Sequence, residues 1–236
     1  CKYAAHLHLM RSMEIFVKLP RMEPKQTKPF SAQEQMALRD FVLAAPTPRK
    51  VGLLLQMQLG LRIGEVCGLQ WGDFDFKAGI LTVRRTVSRI YCGTGCTKIV
   101  VQTPKTKSSG REIPIPHDLA ALLRKLRGSA SPDTWFLSGS TERPVEPRCY
   151  RKSIRGYLRR AGVRRVHPHA LRHTFATTCL QSGCDIKTLS EILGHADANV
   201  TLKRYVHTDM KRKKTEMQRV FSAVWKKRPA QTPMPA

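Results

Sequence analysis

The charge of this chain limits the partners it can have. Its 236 residues carry 42 Lys and Arg against 17 Asp and Glu, a formal net charge of +25 at pH 7. Self-repulsion of that size destabilises a compact protein unless a polyanion neutralises it. Duplex nucleic acid is the strongest candidate; an acidic membrane surface and a structural RNA are the alternatives. No apolar run reaches the roughly 18 residues of a membrane span, and we find no secretory signal peptide.

The first third of the chain predicts three helices. Residues 1–20 have the pattern of a short amphipathic helix, and the Pro- and Lys-rich residues 21–30 that follow are typical of a linker. Ser31 and Glu34 form a capping box that opens a helix to about residue 45. A further helix over about 49–59 ends at a glycine, a common helix terminator.

The middle of the chain predicts a short helix and a small sheet. In the segment GLRIGEVCGLQW, residues 60–71, the apolar side chains share one helical face. Alternating β-branched residues predict one strand over 80–87 and two more over 99–102 and 112–115, joined by a polar turn. A helix follows over about 118–127.

The last third predicts helices again. Residues 148–165 hold eight Arg or Lys and no acid, and we expect the three that project from one helix to contact phosphate: Arg151, Arg155 and Arg159. Helices are predicted over 168–182, from Asp185 to Gly194, and over about 199–207. The class is therefore mainly α with a small antiparallel β-sheet, an α+β fold.

Seven cysteines raise the question of a disulfide or a metal site. Cys92 and Cys96 lie four apart in the segment CGTGC, but no second Cys or His pair follows at zinc-binding spacing. We expect reduced thiols and no metal site.

Five side chains in a fixed order are suited to a phosphodiester. Arg62, Arg172 and His195 can donate to phosphate oxygens, where charge builds in the transition state. Arginine binds phosphate through its planar fork and stays charged. His169 lies one helical turn before Arg172, so the two share a face. Tyr205 follows as a candidate nucleophile, although a single tyrosine on a helix is usually a core or surface residue.

This ordered set resembles the catalytic domain of tyrosine site-specific recombinases, the phage and conjugative-transposon integrases. Residues 60–71 resemble the first arginine motif of that family. PHALRHTFAT at 168–177 resembles its His-x-x-Arg motif, and LGH at 193–195 its Leu-Gly-His motif. NVTLKRYVH at 199–207 resembles its nucleophile segment. The resemblance covers about residues 30–210.

The resemblance implies a role for each residue. Tyr205 would attack the scissile phosphate and form a 3′-phosphotyrosyl link, which conserves the bond energy and makes a cofactor unnecessary. Arg62 and Arg172 would bind the non-bridging oxygens. His169 would assist proton transfer or donate to the phosphate, and His195 would donate to it. Glu65 would orient the site, or be an acid on the helix surface.

The family also has a lysine on a β-hairpin as general acid for the leaving oxygen. In the turn TPKTKSSGREIP, residues 103–114, Lys105 matches integrases with a longer turn and Lys107 matches relatives with a shorter one. We assign Lys105 and leave Lys107 as the alternative. Lys107 and Arg111 are expected to contact DNA.

The resemblance also divides the chain. Residues 1–20 would be the end of a truncated N-terminal DNA-binding domain, 21–30 a linker and 31–210 the catalytic domain. Residues 211–236 would be a basic tail whose apolar patch docks on a neighbouring protomer or on its own core. The insert over 91–96 could alter DNA contacts or have no effect.

The implied function is strand cleavage and rejoining during integration or excision of a mobile element. The implied partners are double-stranded crossover DNA and other copies of the chain in a tetrameric synapse, with no membrane partner. Location would be cytoplasmic, in a bacterial or phage-encoded protein associated with the nucleoid. A type IB topoisomerase and a non-catalytic DNA-binding relative are the alternatives. A metal-dependent nuclease is more remote, since no carboxylate cluster suits Mg²⁺.

Overall fold

The computed structural model describes residues 28–93, 95–103 and 110–195, together with 214, 217 and 218. The helices predicted over 1–20 and 199–207, most of the linker and most of the basic tail lie outside the described residues. Among the residues that are described, no helix is both long and apolar enough to cross a bilayer.

The first two helices begin where their capping residues predict. Helix α1, Ala32–Ala44, has a complete capping box: the Ser31 N–H donates to Glu34 Oε2 at 2.8 Å, and the Glu34 N–H donates to Ser31 Oγ at 3.2 Å. Helix α2, Pro48–Gln58, starts with a proline in its first turn and is capped by Thr47. The short helix α3, Ile63–Cys67, follows and leads into a single 3₁₀ turn over Trp71–Asp73.

The strands form two separate antiparallel sheets. One has the order β1–β2–β5, and the other is a hairpin of β3 and β4. The strands are β1 Phe74–Asp75, β2 Ile80–Val83, β3 Thr86–Gly93, β4 Cys96–Gln102 and β5 Arg111–Pro114. The short β1 was not predicted. The described residues of the insert predicted over 91–96 lie at the end of the β3–β4 hairpin, where Gly93 pairs with Cys96.

The prediction of one strand over 80–87 is wrong. β2 pairs with β1 and β5, whereas β3 pairs with β4. Arg85 lies between β2 and β3, and its guanidinium donates to Asp73 Oδ1 at 2.6 Å and to Gly68 O at 3.3 Å. These contacts hold the chain between the two strands, so that the second half of the predicted strand enters the other sheet.

Four further helices complete the described part of the chain. The residue ranges are α4 His117–Arg127, α5 Pro147–Arg160, α6 His169–Gln181 and α7 Ile186–Leu193. The Asp185 side chain accepts the Thr188 N–H at 2.9 Å and so caps α7, which ends at Gly194 in the left-handed conformation with φ 64°. The boundaries of α4, α6 and α7 agree with the predicted ones to within one or two residues, and α5 lies almost entirely in the basic stretch 148–165.

The core positions α6 and α7 against the N-terminal helices. α2 is buried on most of its surface and packs against α6. A smaller apolar cluster holds α7 on α6 through Ala176, Leu180, Leu189 and Leu193. The predicted class, mainly α with small antiparallel sheets, is confirmed. The end of α2, the start of α3, the first turn of α6 and the end of α7 meet at one place.

Candidate active site

Arg62 lies immediately before α3, at its N-cap position. Its N–H donates to Glu65 Oε2 at 2.8 Å, and its Nη1 donates to Glu65 Oε1 at 2.7 Å. Its Nη2 donates to Gly194 O at 3.2 Å, just beyond α7. The side chain is 36% exposed. Arg62 is therefore held on one side by protein contacts and still reaches solvent.

Arg172 is buried on α6, with only 4% of its surface exposed. Its Nη1 donates to Gly60 O at 2.6 Å, and its Nη2 donates to Leu193 O at 2.6 Å. The last carbonyls of a helix lack partners within the helix and carry its negative dipole end. The two arginines thus bind consecutive carbonyls, Leu193 and Gly194, at the C-terminal end of α7.

His195 follows directly and is half-buried. Its Nε2 lies 3.0 Å from Arg172 Nη2. A guanidinium has no acceptor, so Nε2 accepts in this contact and presents its lone pair to Arg172. The structure therefore brings together three of the predicted residues: Arg62, Arg172 and His195.

His169 is the first residue of α6 and is exposed. Its ring stacks on that of His167, with centroids 5.2 Å apart and an interplanar angle of 17°. Burial, and then the nearby charge of Arg151, lower the pKa of His167. His169 and Arg172 lie on one helix as predicted, but the histidine is at the surface and the arginine is inside.

Glu65 is a buried carboxylate between two arginines. Its side chain is 6% exposed, and it accepts from Arg111 Nη1 and Nη2 at 2.9 Å each, in addition to the bonds from Arg62. Burial alone would raise the pKa of Glu65, but Arg111 and Arg62 outweigh that effect and lower the pKa to about 2. The carboxylate is therefore ionised, and it is not an acid on the helix surface.

Arg111, which is predicted to contact DNA, is buried against protein groups. Its side chain is 6% exposed, its two Nη atoms bind Glu65, and its Nε donates to Ile192 O at 2.6 Å. A side chain with a protein acceptor at every nitrogen is poorly placed to contact a DNA phosphate. The partners of Arg111 in the structure are protein groups of α3 and α7, and its DNA contact stays a prediction.

The three arginines predicted to contact phosphate lie on α5. Its apolar face is buried through Tyr150, Ile154 and Leu158. Arg155 and Arg159 are exposed, whereas Arg151 is half-buried.

Three further predicted residues lie outside the described residues: Tyr205, Lys105 and Lys107. For the part of the chain that the structure does describe, no group of three or more His, Cys, Asp or Glu side chains is arranged to hold a metal ion.

Sequence reasoning missed the burial of Arg111 and the close approach of one glycine to it. On β5, Arg111 and Ile113 are buried while Glu112 and Pro114 are exposed. That alternation is visible in the sequence and places Arg111 on the core side of the strand. A Cβ on Gly194 would lie 2.9 Å from Arg111 Cδ. This close approach requires the glycine and has no signal in the sequence besides the glycine itself.

Comparison with known proteins supports the resemblance. The Phage integrase family matches residues 28–212. The chain is 32% identical over 182 residues to a XerC-like tyrosine recombinase of Caldanaerobacter subterraneus subsp. tengcongensis, which covers 70% of this chain and 46% of that protein. It is 30% identical over 188 residues to tyrosine recombinase XerA of Pyrococcus furiosus, and the alignment covers 78% of this chain and 58% of that protein. The chain thus spans about half the length of these relatives.

Two solved structures have the same fold. The Tn1549 transposon integrase in complex with transposon right end DNA aligns with a TM-score of 0.66 at 25% identity, over 85% of this chain and 68% of that one. The XerA recombinase aligns with a TM-score of 0.60 at 25% identity, over 88% of this chain and 68% of that one.

Proposed function

Because this chain belongs to the Phage integrase family, the tyrosine recombinases, we propose that it cleaves and rejoins DNA strands in site-specific recombination. The observation that carries the proposal is the convergence of Arg62, Arg172 and His195 at the C-terminal end of α7. Two guanidinium groups and an imidazole from three different segments of the chain lie at one place, a set of side chains suited to the non-bridging oxygens of a phosphate.

In the proposed cleavage step, Tyr205 Oη attacks the scissile phosphorus. One P–O bond forms to the tyrosine and one breaks to the 5′ oxygen, so the products are a 3′-phosphotyrosyl link and a 5′-hydroxyl. The phenol proton passes to His169 or to water, and Lys105 supplies a proton to the leaving oxygen. Rejoining reverses these transfers with a 5′-hydroxyl from another strand, so the reaction consumes no nucleotide.

The arginines would act on charge that develops during attack. Preorganised donors in a site shielded from water are worth more than the same donors in water. Arg172 is buried and tied to two carbonyls, and Arg62 is tied to Glu65 and Gly194 O, so neither side chain must reorganise as charge builds. His195 would donate to the phosphate from a protonated Nε2. In its present contact with Arg172 the Nε2 atom accepts, so this role requires the other neutral tautomer or the charged imidazolium.

Duplex DNA is the proposed partner, and α5 is the proposed contact surface. Arg155 and Arg159 are exposed on a helix without acidic residues after its N-cap, Glu146. The Tn1549 integrase, which shares this fold, is solved on transposon end DNA. We further propose that the DNA comes from the ends of a mobile element, that copies of the chain assemble on it as a tetramer, and that this occurs in the cytoplasm, at the nucleoid.

Trapping of the covalent intermediate tests the proposal. Nicked duplexes tiled across the DNA that flanks the gene would be incubated with the protein; the nick lets the cleaved strand diffuse away and blocks rejoining. We expect an SDS-resistant protein–DNA complex, with mass spectrometry placing the nucleotide on Tyr205. Addition of EDTA should leave its yield unchanged.

Matched tyrosine variants serve as controls. Tyr205→Phe should form no complex. Tyr91→Phe should trap as wild type does, because Tyr91 is a 67% exposed side chain on the β3–β4 hairpin. A complex that persists in Tyr205→Phe, or no complex with wild type on any duplex of the tiled set, would contradict the proposal.

A further inference from the structure

Arg111 is a buried arginine beside the candidate site, and all three of its guanidinium nitrogens bind protein acceptors. It is the first residue of β5, which pairs with β2 in the three-stranded sheet, yet its guanidinium contacts α3 and the end of α7. The Nη1 and Nη2 atoms bind the two oxygens of Glu65, and Nε binds Ile192 O. The Gly194 backbone packs against the same side chain, with space for no Cβ. Arg111 therefore joins three elements that are distant in the sequence.

Those contacts lead to Arg62 by two routes. Glu65, which Arg111 holds through both oxygens, in turn accepts the backbone N–H and Nη1 of Arg62. Gly194, which packs on Arg111, accepts Arg62 Nη2 at its carbonyl. A shift of Arg111 would thus move both anchors of the Arg62 side chain at once.

The charges give Arg111 a second effect. An isolated Arg62–Glu65 pair would be neutral, and the carboxylate would compete with a phosphate for the guanidinium. Arg111 shares the carboxylate through the two-bond geometry that an arginine fork makes best. The trio of Arg62, Glu65 and Arg111 then carries a net charge of +1, and Arg62, 36% exposed, is its outer member.

We propose that Arg111 is a positioning residue for strand cleavage: it holds Glu65 and the turn after α7, and thereby sets Arg62 against the scissile phosphate without touching DNA. The inference rests on the proposed function. It departs from the role that the sequence predicts for Arg111, which is a direct contact with DNA.

The test separates binding from chemistry in Arg111→Gln and Arg111→Lys. Equilibrium binding to the duplex that traps wild type should change less than about twofold, because the side chain does not reach DNA. The single-turnover rate of covalent complex formation should fall about 100-fold, the order expected when a reacting group is misplaced by about 1 Å. Lysine keeps the charge but lacks the fork, so Arg111→Lys should recover only a small part of the rate.

A double-mutant cycle with Glu65→Gln tests the route of action. If Arg111 acts in part through Glu65, the two substitutions together should slow cleavage by clearly less than the product of their separate effects. Arg85→Lys is the matched control for loss of a guanidinium. Arg85 Nη2 lies 2.6 Å from Asp73 Oδ1, and this ion pair is not part of the candidate site. The variant should lower the thermal midpoint and leave the cleavage rate unchanged.

Three outcomes would overturn the inference. Loss of DNA affinity in proportion to the loss of rate, with a smaller salt dependence, would make Arg111 a DNA contact. Full additivity with Glu65→Gln would make its effect independent of Glu65, and a wild-type cleavage rate in Arg111→Gln would leave it no role. A wild-type protein that forms no covalent complex would instead refute the proposed function, and the inference with it.

Discussion

Arg172 and His195 contact each other directly, with 3.0 Å between Nη2 and Nε2. Arg172 is immobilised by Gly60 O and Leu193 O, both at 2.6 Å, so it also determines where the His195 ring lies. Two residues that are 23 positions apart are thereby held as one unit at the end of α7.

Replacing Arg172 should weaken both the fold and catalysis. Arg172→Ala leaves the carbonyls of Gly60 and Leu193 without this donor in a buried place, and each unpaired group costs about 1–3 kcal/mol. We expect urea unfolding to show that the free energy of unfolding falls by that amount for each carbonyl left unpaired. The cleavage rate should fall at least 100-fold, as it does on loss of an oxyanion donor. Arg39→Ala, an exposed arginine on α1, is the control; an equal loss of stability there would count against this account.

Gly194→Ala should lower the free energy of unfolding more than the same substitution at a left-handed glycine elsewhere in the described residues. At φ 64°, alanine pays about 1–2 kcal/mol for the left-handed backbone, and its Cβ would also lie 2.9 Å from Arg111 Cδ. Gly162→Ala is the matched control, since Gly162 has φ 67° and open space around the added Cβ. The excess loss of unfolding free energy in Gly194→Ala reports the contact with Arg111. Equal losses in the two variants would show that the contact has no energetic weight.

The stability contributed by Glu65 should disappear in acid. Its pKa falls from 4.5 to about 2 on folding, so the ionised carboxylate favours the folded state above pH 4.5, and this gain is lost as the pH falls towards 2. The shift corresponds to about 3 kcal/mol. The difference in unfolding free energy between wild type and Glu65→Gln should therefore be largest near pH 7 and shrink below pH 4.5.

The control for that measurement is Glu112→Gln, which removes an exposed carboxylate beside Arg111 in the sequence and so changes the net charge equally. Urea unfolding of the three proteins across pH 7 to 3 gives the comparison. A wild-type advantage over Glu65→Gln that does not change with pH would contradict the ion pair.

The α5 arginines should affect affinity in a salt-dependent way. A phosphate contact contributes about 0.9 to the slope of log K against log salt concentration. Arg155→Ala and Arg159→Ala should each lower the slope by about that amount, with little change in the rate of the bound complex. Arg39→Ala removes the same charge from another surface. A similar change in slope in that variant would contradict the proposal that α5 is the DNA contact surface.

A substrate with a sulfur leaving group can identify the general acid. A 5′-bridging phosphorothiolate expels a thiolate, which needs no protonation at neutral pH because thiols are far more acidic than alcohols. Lys105→Ala should cleave the ordinary duplex slowly and the phosphorothiolate at a rate near that of wild type. Lys107→Ala should show no such rescue. The opposite pattern would assign the proton to Lys107.

The sequence by itself determined the family, the order of the candidate residues and most of the helices that the structure describes, because these depend on local signals. Capping residues such as Ser31 and Asp185 and the motifs around Arg62 and Arg172 occupy short stretches of chain. The burial of Arg111 was also available in the alternation of β5, but its partner was not, since Glu65 is 46 residues away.

Only the tertiary structure decided how the strands pair and what each charged side chain contacts. The residues from 80 to 87 have one strand-like pattern, yet they belong to two sheets, with Arg85 bound to Asp73 between β2 and β3. Arg62, Arg111 and Arg172 look alike in the sequence as cations suited to phosphate. Packing of α7 on α6 brings its last carbonyls to all three, and burial with Glu65 encloses Arg111 while Arg62 keeps its access to solvent.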